Sequence, residues 1–232
     1  MSLLVINPNS SQSVTDNLRN ILVAPPGITL EFYTAPPAAP KEIDGAQTLG
    51  LSEKIVLADL LANLLHTKYD GYLICCYSDH PLIHSLATST SKPVLGIMQA
   101  TLLYSYSNAR LKRLLVLTST SGWNELLDSA ITAFAGSGVF PKHKFEPTRA
   151  LDVLVLSLSD PVEFGKITSR VEEVLVEYKD SNIDCILLGC AGMAGLDDKL
   201  SEVFPGIIFV DSVKIGVEFL SSLVRFSVSR GI

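Results

Sequence analysis

Short runs rich in leucine, isoleucine and valine alternate with amphipathic stretches along the whole chain. "LLVI" at 3–6 reads as a strand and is followed by a polar loop and a helix over about 13–22. "ITLEFYT" (28–34) predicts a second strand, "TAPPAAPKEIDG" a loop, and 46–66 a helix. "YLICC" (72–76) and "PVLGI" (93–97) predict two more strands, with helices near 81–90 and 98–109. The pattern restarts at "LLVLT" (114–118), with a helix near 122–135, an ambiguous stretch, and the apolar run "VLVLSL" at 153–158. A helix over 161–179, the strand "CILLG" (185–189), a helix near 194–203, the strand "IIFV" (207–210) and a helix over 213–226 complete it. Strands that are apolar throughout and separated by helices imply an α/β fold with parallel sheets covered on both faces.

The pattern is also weakly repeated. "LLVINPNSS" and "LLVLTSTSG" each join an apolar run to a polar loop, and each is followed at similar distance by a strand closing on a cysteine: 69 residues from Asn7 to Cys76, 72 from Thr118 to Cys190. This spacing predicts a duplicated α/β unit, with residues 1–97 plus 211–232 as the first domain and 98–210 as the second. In open parallel sheets ligands bind beyond the carboxyl ends of the strands. Two such units facing each other would set Cys76 and Cys190 on opposite walls of one cleft.

Composition narrows the function. The 232 residues are 47% hydrophobic and 18% charged, enough for a large α/β domain or two smaller ones. The net charge of −6, with no cluster of Lys and Arg, argues against a nucleic-acid partner. "MSLLVINPNS" carries no basic leader, and the greasiest segment, "IVLADLLANLL", is interrupted by Asp59 and Asn63, so neither a signal peptide nor a membrane span is expected. Four cysteines without a secretory leader read as reduced thiols in a cytoplasmic protein.

Strand alternation divides those cysteines. Cys75 points opposite to Cys76, and Cys185 opens its strand, so both read as packing residues. Cys76 and Cys190 close their strands just before a turn and a helix, where backbone N–H groups stabilise a thiolate. Two opposed thiols around an activated carbon could exchange its proton on opposite faces, one as thiolate base and one as thiol acid. A modest downward shift of an ordinary thiol, pKa about 8.5, would suffice for the base. The polar loops at 7–11 and 118–121 would hold the substrate's carbonyl or amide groups.

Other motifs carry less. Cys76, His80 and His84 recur every fourth residue, but Pro81 interrupts the helix they would need, and neither a CxxC pair nor HExxH occurs, so no metal is expected. His84 reads as half-exposed, and His80 as tuning the thiol or facing solvent. Asp79 and Asp211 follow strand ends and read as helix caps. "STSK" (89–92) lacks its companion motifs, and no Gly-rich phosphate or dinucleotide signature occurs, so no cofactor is expected.

"INPNSS", "CYSDHPL" and "LLGCAGMAGL" together resemble the hydantoin/allantoin racemase family of the aspartate/glutamate racemase superfamily. The resemblance implies two pseudo-symmetric parallel-sheet α/β domains with an interdomain active-site cleft, and a cofactor-independent racemase of allantoin or a 5-substituted hydantoin. It implies Cys76 and Cys190 as the two bases, and Asn7, Ser78, Thr118, Ser119, Ala191 and Gly192 as substrate contacts. Where the family commonly has Cys-Phe-Gly-Asp-Pro-Gly, this chain has Cys76-Tyr77-Ser78-Asp79-His80-Pro81, which alters the turn beside the first thiol. Apolar helical faces, with the family's habits, lead us to expect a homo-oligomer acting on a small molecule. A single-cysteine decarboxylase or cis–trans isomerase of a small diacid stays open, as does a non-catalytic binding protein. No Arg or Lys adjoins either cysteine in sequence, which disfavours a diacid.

Overall fold

The computed structural model describes residues 1–153 and 162–231. The chain divides into two compact units, unit 1 from Met1–Ala100 with Val213–Ile232, and unit 2 from Thr101–Ser212.

Unit 1 is built on β1 (Ser2–Asn7), β2 (Thr29–Thr34), β3 (Gly71–Ile74) and β4 (Val94–Gly96), all parallel in the order β2-β1-β3-β4. Helices α1 (Gln12–Ile21), α2 (Ala46–Ala62), α3 (Pro81–Ala87), the start of α4 (Ile97–Ser107) and nearly all of α8 (Ser212–Arg230) accompany the sheet. Residues 3–7 of β1 and all of β3 are buried, the reason these strands read as unbroken apolar runs. One core cluster gathers Leu4, Ile6, Tyr72 and Ile74 from the strands with Val56, Leu60, Leu82 and Leu86 from α2 and α3. Tyr72 can be wholly buried because its hydroxyl donates to the carbonyl of Leu65, 2.9 Å away.

Close approach of α8 explains Gly71. A Cβ added there would lie 2.7 Å from Val224 Cγ2, with Leu3 and Leu220 at 3.1 and 3.2 Å. Gly71→Ala is expected to destabilise the protein by about 1–3 kcal/mol, the usual cost of overpacking a filled core. A lowered denaturant midpoint at unchanged slope checks this, and an unchanged midpoint would refute it.

Unit 2 repeats the topology. Its strands are β5 (Leu114–Thr118), β6 (Phe145–Ala150), β7 (Cys185–Leu188) and β8 (Ile208–Asp211), parallel in the order β6-β5-β7-β8. Its helices include α5 (Asn124–Phe134), α6 (Phe164–Glu177) and α7 (Asp197–Val203), and its core joins Leu115, Leu117, Ile186 and Leu188 to Ile167, Val171 and Val174 of α6.

The edge strand β6 falls in the stretch that the hydrophobic pattern leaves ambiguous. Its sequence, "FEPTRA", carries Glu146, Pro147 and Arg149. An edge tolerates this composition: the ladder to β5 shifts register between Leu115 and Leu117, opposite Pro147, which has no N–H to donate. Glu146 is buried against the Arg113 guanidinium, and Thr148 donates through both its N–H and its hydroxyl to Asp128. Beyond Val153, the apolar run at 153–158 lies outside the described residues, as does the first residue of the helix expected over 161–179. The expected helix over 46–66 ends at Ala62, with a 3-10 turn at Leu65–Thr67 after Leu64 adopts a left-handed φ of 55°. Among the described residues no helix is long and apolar enough to cross a membrane.

Candidate active site

In each unit the second strand of the chain pairs on one side of the first and the third on the other. The strand order therefore reverses between β1 and β3 in unit 1 and between β5 and β7 in unit 2. The carboxyl ends of two strands that part in this way leave a crevice, the usual binding position in doubly wound sheets.

Both candidate thiols occupy that position, with the same local bonding. β3 ends at Ile74, not at Cys76 as the apolar run suggests, and the ladder closes with Cys75 N–H donating to Ile6 O at 2.8 Å. Cys76 is the next residue. β7 ends at Leu188, the ladder closes with Gly189 N–H donating to Leu117 O at 2.8 Å, and Cys190 is the next residue. Ile6 and Leu117 immediately precede Asn7 and Thr118, so each thiol begins a loop beside the polar end of its neighbouring strand. Cys76 and Cys190 are partly exposed, whereas Cys75 and Cys185 are buried, at 3% and 0% exposure.

The surroundings of the two sulfurs differ. The Ser78 hydroxyl donates to Cys76 Sγ at 3.5 Å, and Ser78 N–H closes a tight turn on the Cys76 carbonyl. Burial pushes the Cys76 thiol up to about 11 despite the Ser78 hydroxyl, which pulls the other way. The downward shift expected at this position is thus not what this loop produces, because desolvation of the sulfur outweighs the Ser78 hydrogen bond. Cys190 caps a 3-10 turn, Ala191–Met193, and its sulfur accepts the Gly192 N–H at 3.4 Å. Ala191 and Gly192 are both buried within that turn.

The polar residues of each crevice organise its loops. Asn7 is fully buried. Its amide donates to Ser11 O at 3.0 Å and Thr15 Oγ1 at 3.1 Å, and its Oδ1 accepts Asn9 N–H at 3.2 Å. Both donors are thus engaged, one by the loop and one by α1, leaving acceptor capacity on Oδ1. Thr118 donates its hydroxyl to Gly189 O at 3.2 Å, fixing the peptide before Cys190. Ser119 is 2% exposed and its carbonyl accepts Val153 N–H. Asn7, Cys76 and Ser78 therefore share the carboxyl edge of one sheet, and Thr118, Ser119, Cys190, Ala191 and Gly192 that of the other.

Two other residues, Asp79 and His80, depart from the pattern-based reading. Asp79 caps no helix: it accepts Gln99 Nε2–H at 2.9 Å and contacts the exposed His84 ring at 3.1 Å. Asp211 ends β8 and accepts Gly195 N–H at 2.7 Å, tying down the loop after Cys190. His80 neither faces solvent nor bonds the thiol; it is fully buried and caps α3, Nδ1 accepting Leu82 N–H at 3.2 Å. Proline at the first helical position was the available signal that residue 80 is an N-cap. Desolvation holds the His80 imidazole down at about 4, with Asp79 opposing weakly, so it is neutral near pH 7. Among the described residues no three His, Cys, Asp or Glu side chains group as metal ligands.

Fold and site thus define a duplicated α/β protein with a thiol at the switch point of each sheet. The family model for Asp/Glu/Hydantoin racemase matches residues 3–220. The protein DCG1 of Saccharomyces cerevisiae is 30% identical over 239 residues, covering 97% of this chain and 96% of that protein. Hydantoin racemase of Rhizobium meliloti is 26% identical over 229 residues, covering 97% and 89%. The solved structure of allantoin racemase from Klebsiella pneumoniae superposes with a TM-score of 0.81 at 24% identity, covering 98% of this chain and 89% of that one. The chain belongs to the Asp/Glu/Hydantoin racemase family and is, by that membership, an isomerase.

Proposed function

We propose that this protein racemises a five-membered cyclic ureide, allantoin or a 5-substituted hydantoin, by proton transfer between Cys76 and Cys190. The observation that carries the reading is the equivalence of the two thiols: each is the first residue past the last ladder bond, beside the polar end of the neighbouring strand. A relative named hydantoin racemase and a fold neighbour named allantoin racemase support the ring class.

This mechanism requires the stereogenic C–H to lie between the sulfurs. Cys190, as thiolate, removes the proton from one face; the C–H pair becomes the enolate, whose charge rests on the adjacent carbonyl oxygen. Cys76, protonated as its raised pKa requires, returns a proton to the opposite face. The step balances with no cofactor: one S–H forms, one is consumed, and the carbon is inverted. After the turnover the two thiols have exchanged protonation states; uptake of a solvent proton by Cys76, which its raised pKa favours, and loss of one from Cys190 reset the pair. The Ser78 hydroxyl beside Cys76 is neutral and suits an uncharged ring better than a diacid, which would call for cationic partners. We take the working compartment to be the cytoplasm, where thiols stay reduced.

Enantiopure allantoin and several 5-substituted hydantoins, incubated with the protein in buffered D2O, provide the test. Circular dichroism is expected to decay to zero while one solvent deuteron enters at the stereocentre. Optical activity that persists at the rate of a protein-free control, for every ring tried, would sink the reading.

A further inference from the structure

His80 has a polar atom that nothing in the described chain satisfies. Its Nδ1 accepts Leu82 N–H, so the proton of the neutral ring sits on Nε2. That Nε2–H is buried and has no hydrogen-bond partner, in a side chain that is 0% exposed. An unpaired buried donor costs roughly 1–3 kcal/mol, and proteins rarely retain one without a use for it. His80 lies two residues beyond Ser78, whose hydroxyl contacts Cys76 Sγ.

A second orphan belongs to the same segment. The amide of Gln99 is oriented by its Nε2–H bond to Asp79, the residue before His80, and this leaves Gln99 Oε1 buried without a partner. That oxygen lies against Gly96, at the end of β4, where an added Cβ would meet it at 2.2 Å. Segment 79–99 therefore carries one unsatisfied donor and one unsatisfied acceptor at the carboxyl edge that bears Cys76. A cyclic amide carries both C=O and N–H and can pair with either kind of group; a dicarboxylate could not satisfy the acceptor.

We infer that His80 is a substrate-contacting residue, whose Nε2–H donates to the ring carbonyl oxygen that becomes the enolate oxygen when the adjacent C–H is ionised. The inference rests on the ring-ureide reading above. A neutral imidazole fixed as a donor by its own helix cap needs no reorganisation when charge develops on that oxygen, which is the condition for stabilising it. It exchanges no proton with substrate, so it leaves the two-thiol chemistry unchanged.

Two measurements test this. With 15N-labelled histidine, the Nε2–H resonance of His80, assigned by its loss in His80→Asn, is expected to move downfield when achiral, unsubstituted hydantoin is added to wild-type protein. No movement at saturating hydantoin overturns the assignment. In kinetics, His80→Asn keeps a side-chain oxygen to cap α3 and lacks the Nε2–H. Its kcat is expected to fall about 10²-fold, with KM changed much less. A variant with a lowered melting temperature but kcat within about twofold of wild type would make His80 structural only and overturn the inference. Should the asparagine variant not fold, a histidine signal that alone both responds to hydantoin and shows the Nε2–H tautomer decides for the proposal, and its absence decides against it. Wild-type protein that neither racemises nor binds any ring ureide removes the functional reading, and this inference with it. Wild-type activity combined with an indifferent His80 removes the inference alone.

Discussion

Cys76→Ser and Cys190→Ser, made singly, are each expected to lower racemisation by at least about 10³-fold while leaving the fold intact. Serine replaces sulfur at nearly constant shape, but its hydroxyl is far too weak an acid to carry the proton at neutral pH, so removing either thiol removes a proton carrier that the mechanism requires. The two variants differ from inactive protein in a further respect. Either can retain slow exchange of the substrate C–H with D2O from one enantiomer, since one base remains. Because exchange then proceeds on one face, deuterium would enter with retention of configuration. Circular dichroism follows inversion and proton NMR follows exchange in the same sample. Wild-type rates in both single variants would exclude the two-thiol mechanism. Loss in Cys190→Ser alone would point to single-cysteine chemistry. Cys75→Ala and Cys185→Ala serve as controls expected to retain activity, since both thiols are packing residues.

The second large effect is alkaline destabilisation. Cys185 is fully buried, paired in register with Leu114 on one side and Ile208 on the other. Burial first, then the charge of Asp184, push its thiol up to about 12, against the weaker pull of Lys144. The folded state keeps this proton where the unfolded chain, titrating near 9, has lost it. Stability is therefore undiminished below pH 9 and falls as pH climbs towards 12, by about 1.4 kcal/mol for each pH unit from this group. Cys76 acts in the same direction up to about pH 11, with less weight because it is partly exposed. Denaturant midpoints from pH 8 to 11 measure the slope. Cys185→Ala should be less stable at pH 8, having lost packing, and yet fall more gently above pH 9 by close to one proton's worth. Parallel slopes for variant and wild type would show that Cys185 does not hold its proton.

The parts of this protein written as apolar runs were legible without coordinates. β1, β3, β5 and β7 are buried on both faces, and such strands have no alternative to hydrophobic side chains. β6 was not legible, because an edge strand with a register shift can carry proline, and its buried Glu146 is compensated by Arg113 from elsewhere in the chain. The strand-end cysteines stand out because their positions recur in the two halves. What surrounds them did not stand out: the raised Cys76 thiol, the engaged amide of Asn7 and the buried His80 all depend on which side chains close over a loop. "SDHPL" locates a turn but contains nothing that says whether its histidine points outward or inward. Burial of a polar group is a property of the packed neighbourhood, which no residue of that motif specifies by itself.

The route of the chain has a consequence for its synthesis. Unit 2 is one uninterrupted segment, while unit 1 is split between the first hundred residues and the last twenty. On the ribosome, unit 2 can therefore be complete while unit 1 still lacks α8. Until then Gly71 has no Val224 or Leu220 against it, and Leu73 has no Gly216. The half that carries Cys76 is begun first and finished last, so a premature stop within the final twenty residues would leave a well-formed second unit attached to an open first one. Such a product exposes the apolar backs of β1 and β3, and aggregation or degradation is its expected fate.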